Sequence, residues 1–174
     1  MNYLINSINL IVRFTGNGIA WLTLFMVLVT FLIVVLRYVF NIGSIATQES
    51  VLYMHALVFM LGAAMTLQKN EHVRVDIFYR KMSPRSKAIV NCFGILILLL
   101  PVCGFIVWSS WDYVAEAWRL KESSREAGGL PWVYLLKTTI IIMAILMVLQ
   151  AVSDFLKNSL IIINPNIAID NKSE

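Results

Sequence analysis

The sequence predicts an all-α integral membrane protein, a single membrane domain over residues 1–174 with four transmembrane helices. Composition is the first reason: hydrophobic residues make up 59% of the chain and charged residues 14%, against about 45–50% and about 25% in soluble domains. The second is four long apolar stretches, each about long enough to cross a hydrocarbon core of ~30 Å at ~1.5 Å per residue. The third is that Lys137 is the only charged residue inside them. The stretches cover about 16–36, 50–68, 88–111 and 130–153.

The distribution of basic residues predicts the orientation of the chain in the membrane. The net charge is +4, and the connection 69–87 contains six of the 14 Lys and Arg residues. With four spans, this connection lies on the same side as both termini, and the positive-inside rule places that side in the cytoplasm. Basic residues beside apolar spans therefore predict topology, and they do not indicate a nucleic-acid partner.

The first span, about 16–36, is expected to end at a turn. Arg37 follows it directly, and a basic residue at this level suits the headgroup layer. Residues 41–44 include Asn, Gly and Ser, which favour a turn over a continued helix. Thr47 is then the expected N-cap of the second helix, and Glu49 lies where the positive helix end favours a carboxylate.

The second span, about 50–68, contains one histidine and one run of small residues. Two interpretations of His55 stay open. It is either a proton relay or ligand, or a neutral imidazole that hydrogen-bonds to a neighbouring helix; the spans contain no acid that would complete a relay. The small residues at 62–64 would let another helix approach closely, so Gly62 is a candidate packing contact.

A short amphipathic helix is expected over about 74–82, between the second and third spans. Its apolar face would contain Val75, Phe78, Tyr79 and Met82. Such a helix lies in the membrane interface with its basic residues toward anionic phospholipids. The lipid-facing candidates there are Arg74, Arg80 and Lys81. Ser83 and Pro84 then predict the N-cap and first residue of the third helix.

The third span, about 88–111, has Pro101 near its middle, with a glycine on either side at 94 and 104. Proline removes one backbone hydrogen bond, so a kink is expected here. Past the span, apolar residues continue at helical spacing, which predicts that the helix leaves the membrane with one face packed. These residues are Trp111, Val114, Ala115 and Trp118. Trp111 is also a lipid-interface candidate.

The fourth span, about 130–153, begins with Trp132 at the lipid interface. Two roles stay open for Lys137: its ammonium group reaches the interface along the four-carbon stem, or it forms a specific buried ion pair. The helix is expected to end near residues 154–157, and the tail, 158–174, to be partly disordered.

Several classes of site are missing from the sequence. No Gly-rich phosphate loop, HExxH or CxxC motif is present, and two His and two Cys residues are too few for most metal sites. We therefore expect no enzymatic activity, metal or cofactor. Two alternatives stay open: a membrane anchor of a respiratory enzyme in which His55 binds haem or quinone, and a stand-alone four-helix carrier.

Short motifs follow or precede three of the spans. The sequence RYVF begins at Arg37 after the first span, and Glu49 lies at the start of the second. EHVRVD follows the second span at residues 71–76, and LPWVYLLK at 130–137 leads into the fourth. In this order and spacing they resemble the small (DctQ-type) membrane subunit of tripartite ATP-independent periplasmic (TRAP) transporters, over roughly residues 10–155. The chain departs from the family pattern in lacking a Trp before Glu49 and a Pro at 138–140.

The resemblance implies a non-catalytic subunit, in the bacterial inner membrane, of a sodium-coupled transporter for organic acids that depends on a substrate-binding protein. In that family a large membrane subunit carries the substrate and sodium sites and moves as an elevator. The small subunit forms a heterodimer with it and broadens its fixed scaffold. A periplasmic substrate-binding protein docks transiently, and segment 112–131 is the candidate surface for it.

The site residues that the resemblance implies are structural. Arg37 and Glu49 are expected to pair across the outer ends of the first two spans, and His72 with Asp76 to fix the cytoplasmic connection. The candidates for structural or subunit contacts are Arg37, Glu49, Gly62, His72, Asp76 and Lys137. The candidates for docking the periplasmic protein are Glu122, Arg125 and Glu126.

Overall fold

Four long helices make up the regular structure of the described residues, which are 2–72, 79 and 81–164 of this computed structural model. Within these ranges there is no strand, and each helix is long and apolar enough to cross a membrane. The prediction of an all-helical chain with four helices of spanning length and composition is confirmed. The helices are α1 (Asn2–Tyr38), α2 (Ile45–Gln68), α3 (Pro84–Leu120) and α4 (Val133–Ile163).

The fourth helix is the centre of the arrangement, because it packs against each of the other three. Helices α1 and α2 pack against each other and against α4, while α3 packs along α4. Fully buried alanines on α4, Ala144 and Ala151, permit this close approach of neighbouring helices. Val12, Ala64 and Leu146 form the apolar core where α1, α2 and α4 meet.

Successive helices run in opposite directions, with α1 packed beside α2 and α3 beside α4, and this gives the bundle two ends. We call one the termini end: it contains the start of α1, the end of α2, the start of α3 and the end of α4. The other is the loop end, which contains the connections 39–44 and 121–132.

Helix α1 begins at Asn2, fourteen residues before the predicted span. The sequence already contained the signal for this early start, since the buried residues Ile5, Ile8, Val12 and Ile19 recur at helical spacing.

Helix α1 approaches α2 closely at Gly16, where an added Cβ would lie 2.0 Å from Sδ of Met65. At Gly62 an added Cβ would meet no atom of this chain within 4 Å, whereas Ala64 of the same run of small residues is 1% exposed in the core. Gly62 stays a candidate for a contact with another subunit.

The start of α2 differs from the prediction, and the start of α3 agrees with it. Ser44 is the N-cap of α2, since its backbone is extended and its hydroxyl accepts from the Thr47 N–H at 3.4 Å. Thr47 therefore lies in the first turn and is not the cap. At α3, Ser83 accepts from the Ser86 N–H at 3.2 Å and Pro84 is the first helical residue, as expected.

Helix α3 contains a π-helical turn at Ile95–Leu99, directly before Pro101. The Leu100 N–H bonds to the carbonyl of Ile95, five residues earlier. Because proline cannot donate and its ring crowds the preceding turn, the wider π turn accommodates Pro101 without ending the helix. The helix continues to Leu120, as the apolar stripe predicted, and Lys121 then adopts a left-handed conformation with φ 50°.

The last helix continues to Ile163, so the expected end near residues 154–157 is wrong. Asn158 supports the extra turns by donating to the Asp154 carbonyl at 2.7 Å. Residues 165–174 of the expected tail lie outside the described residues, as do most residues of the interfacial helix expected over 74–82. Arg74, Asp76 and Arg80 are among them.

Candidate functional site at the two ends of the bundle

At the loop end, Glu49 holds the connection 121–132 against α2. Its carboxylate accepts hydrogen bonds from the Ser124 hydroxyl and, at 2.6 Å, from the Leu130 N–H. Gly129 lies so close that an added Cβ would overlap the Ser124 side chain and come within 2.8 Å of Oε2 of Glu49, so a larger residue here would displace the contact. Among the described residues Arg37 makes no ion pair, and the expected Arg37–Glu49 pair is therefore not formed.

Lys137 forms an ion pair with Glu122 next to this contact. Its side chain is only 14% exposed, and the ammonium nitrogen lies 3.8 Å from the ring centroid of Tyr113. Of the two roles left open by the sequence, the structure shows the ion pair. The left-handed Lys121 turns the chain back at the end of α3, which brings Glu122 over the first turns of α4.

Aromatic side chains complete the loop end on the α3–α4 side. Trp118 donates from its indole nitrogen to the Thr138 hydroxyl at 2.8 Å and meets Tyr134 edge to face at 4.7 Å. The Lys121 ammonium lies 4.8 Å and 5.1 Å from the ring centroids of Trp118 and Tyr134. The connection 121–132 is thus fixed at both sides, to α2 by Glu49 and to α4 by Glu122.

The charged residues that remain exposed at the loop end form a surface on this fixed connection. Arg125 and Glu126 are exposed, whereas Glu122 is engaged by Lys137. Glu116 and Arg119 form an exposed ion pair at the end of α3. The docking candidates from the sequence therefore divide into one structural residue, Glu122, and two accessible ones.

At the termini end, polar side chains from the interior of the bundle share hydrogen bonds. The Gln68 side chain donates to the Asn9 carbonyl at 2.9 Å, and Ser153 donates to the Asn9 side chain at 3.0 Å. Gln150, with 0% of its surface exposed, donates to Asp154 at 3.0 Å. These contacts join α1, α2 and α4 where an unpaired amide would be costly.

The same network extends to α3 along the last turns of α4. Lys157 donates to Asp154 at 3.1 Å and to Asn9 at 3.3 Å. Asn158 accepts from Asn91 at 3.1 Å, and Asn91 in turn accepts from the Tyr79 hydroxyl at 3.1 Å. All four helices are therefore linked at this end. Sequence reasoning missed the network, although the polar residues near the helix ends were a visible signal.

The other sequence candidates have simpler surroundings. The Nε2 atom of His72 lies 3.3 Å from the Ala63 carbonyl, which places the imidazole back against α2. Lys81 and Trp111 are exposed, and Trp132 is exposed at the N-cap of α4. Within the described part of the chain, no three His, Cys, Asp or Glu residues are grouped so that they could hold a metal ion.

Comparison with known proteins gives a family match that covers most of the chain. Residues 26–160 match the model of the DctQ component of tripartite ATP-independent periplasmic transporters. A Haemophilus influenzae protein named as a TRAP transporter small permease is 37% identical over 86 residues. That alignment spans 49% of this chain and 53% of the relative, so the match covers about half the relative's length. No solved structure is similar enough to count as a match.

Proposed function

The chain belongs to the DctQ component family of tripartite ATP-independent periplasmic transporters, and we propose that it is the non-catalytic small permease subunit of a sodium-coupled transporter for organic acids. In this proposal it forms a heterodimer with a large membrane subunit, which binds substrate and sodium and moves as an elevator. The small subunit broadens the fixed scaffold, in the bacterial inner membrane, with both termini in the cytoplasm.

The observation that carries the proposal is where the charges lie. The acidic side chains of the described helices are found toward the two ends of the bundle, at Glu49, Asp112, Glu116 and Asp154. Between these levels the helices contain no carboxylate that could coordinate sodium or relay a proton. Carriers that couple transport to protons or ions usually place ionisable groups of this kind at membrane depth, so their absence between these levels favours a scaffold role for this chain.

Reconstitution in proteoliposomes tests the proposed function. We expect sodium-driven uptake of a labelled organic acid, supplied with its periplasmic binding protein, only when this chain and the large subunit are both present. Vesicles with this chain alone should show no uptake above empty vesicles. Sodium-driven accumulation by the isolated chain would contradict the proposal.

The exposed charges of the loop end are the proposed docking surface for the periplasmic protein. Charge reversal by Glu126→Lys should weaken docking about threefold, the size of effect expected when one exposed ion pair is lost. Glu122→Lys would also weaken docking, but it removes the ion pair with Lys137 as well. Glu71→Lys, at the exposed termini end, is the matched control. Equal binding by the Glu126 and Glu71 variants would reject this surface.

Phospholipids are the remaining proposed partners. The basic connection at 69–87 and the tryptophans Trp111 and Trp132 are the residues that would contact the headgroup layers. Lys81, Trp111 and Trp132 are exposed in the structure, as such contacts require.

A further inference from the structure

Helix α2 exposes a narrow stripe along its outer half. Between residues 46 and 60, all side chains except four are at least partly covered by the rest of the chain. Gln48 opens the stripe and Phe59 closes it, over about 16 Å of helix. Spacings of three and four residues place all four on one face. The stripe consists of Gln48, Leu52, His55 and Phe59.

His55 lies at hydrocarbon depth if the polar residues of α2 mark the two membrane surfaces. It follows Glu49 by six residues, about 9 Å, and precedes Gln68 by thirteen, about 20 Å. Its one ring contact is a stacked arrangement with Phe59 at 6.5 Å. No hydrogen bond joins the imidazole to any described residue, and hydrocarbon offers none, so contact with lipid would leave a costly unsatisfied group.

The exposed face of α3 shows what a lipid-facing surface of this chain contains. Over residues 96–105, the exposed positions of α3 are apolar or glycine, and they include Leu98 and Phe105. Cys103, the one residue there with a polar hydrogen, is buried. Acyl chains can cover this face without loss of any hydrogen bond. The α2 stripe differs because it places an imidazole and an amide beside its two apolar side chains, which indicates contact with protein.

The uncovered surface beside the stripe is large. Helix α1 packs against α2, and residues 20–38 of α1 contain no buried position. The partner surface can therefore extend from the stripe onto the outer half of α1. The stripe, about 16 Å long and continued by the uncovered half of α1, offers several turns of contact to a transmembrane helix.

We propose that the α2 stripe is the contact face for a transmembrane helix of the large subunit, and that His55 forms a hydrogen bond across this contact. The inference rests on the proposed function, because it takes the large subunit as the partner. The partner helix would present a hydroxyl, amide or unpaired carbonyl opposite His55, together with small or apolar side chains opposite Leu52 and Phe59.

Photocrosslinking in membranes that contain both subunits tests the contact. A photoreactive amino acid at Leu52 or Phe59 should crosslink to the large subunit at least about fivefold more than one at Leu98 or Phe105. All four positions carry exposed apolar side chains, so the α3 pair is a matched control. Products at twice the 19.8 kDa chain mass, or equal crosslinking at all four positions, would overturn the inference.

Substitution of His55 tests the hydrogen bond separately. His55→Leu should lower recovery of the large subunit with tagged chain about tenfold, while His55→Gln, which can still donate and accept, should stay within about twofold of wild type. Equal recovery with both variants would reject the bond. If the wild-type chain recovers the large subunit but the stripe does not crosslink, only this inference fails. If it recovers no large subunit, the proposed function fails with it.

Discussion

Among the described residues, side chains from all four helices share one hydrogen-bond network at the termini end, whereas the polar contacts at the loop end join three helices. Glu49 and Glu122 connect α2 and α4 with the segment after α3, and α1 takes no part. The buried side chains of α1 lie between Ile5 and Ile19, all in its termini half. The outer half of α1 is therefore the part of the described bundle that no polar side-chain contact joins to another helix.

The largest expected effect is loss of the termini network. Gln150→Leu removes the hydrogen bonds of a fully buried amide with Gln68 and Asp154. We expect the free energy of unfolding in detergent to fall by about 2 kcal/mol. Ile145→Leu, at an exposed position on the same helix, should change it by less than about 0.5 kcal/mol. Equal free energies of unfolding for the two variants would show that the hydrogen-bond network at the termini end does not stabilise the bundle.

Two valines on α1 compare its halves directly. Val12 is 2% exposed and packs in the termini half, while Val27 is 58% exposed in the outer half. Val12→Ala should lower the free energy of unfolding by about 1–2 kcal/mol, because it leaves a cavity, and Val27→Ala by less than about 0.5 kcal/mol. The test is denaturant titration of the isolated subunit. Similar losses for both would mean that the two halves are equally packed.

The ion pair at the loop end should contribute less. A double-mutant cycle with Lys137→Met and Glu122→Gln is expected to give a coupling energy of about 1 kcal/mol, since the pair is only partly shielded from solvent. Thermal unfolding of the two single variants and the double variant supplies the values. Strictly additive effects would show that the ammonium group is held by Tyr113 alone.

Substitution of Glu49 is expected to have the smallest effect on the stability of the chain. Its effect on assembly with the large subunit should still be measurable. Glu49→Gln replaces one acceptor oxygen with a donor facing Ser124 and the Leu130 N–H, which loosens the connection 121–132. Recovery of the large subunit should fall about threefold. The control is Glu71→Gln at the exposed termini end. Unchanged recovery and unchanged amide exchange at Leu130 would exclude this role.

Properties that depend on local sequence were predictable, and those that depend on distant residues were not. Four spans follow from the length and hydropathy of each stretch, and the Ser83–Pro84 helix start follows from two adjacent residues. Lys137 shows the limit: its stem length allowed either role, and only the left-handed turn at Lys121 brings Glu122 to it. That turn, at a residue other than glycine, has no local sequence signal.

The misplaced features have the same origin. Arg37 and Glu49 were close in sequence and opposite in charge, yet Ser124 and the Leu130 N–H lie nearer to the carboxylate once the last loop folds back. The run 62–64 was selected for its small residues, and of these only Ala64 is buried, while α1 comes close to α2 at Gly16, next to Met65. The sequence shows which residues are small enough to permit close packing. Only the three-dimensional structure shows at which of them two helices come into contact.

The π turn in α3 changes which side of the helix faces α4: the residues before the turn and those after it follow two different rotational phases about the helix axis. A π turn acts like one inserted residue, and each residue of an α-helix turns the chain by about 100°. Ala88 and Ile95 face α4 in the first phase, and Cys103, Val114 and Ala117 belong to the second. Deleting one residue from 95–99 would merge the phases and rotate the entire outer half of the helix. Trp118 and Tyr113 would then swing away from Thr138 and Lys137, so a single codon deleted mid-membrane would dismantle contacts more than 20 Å away.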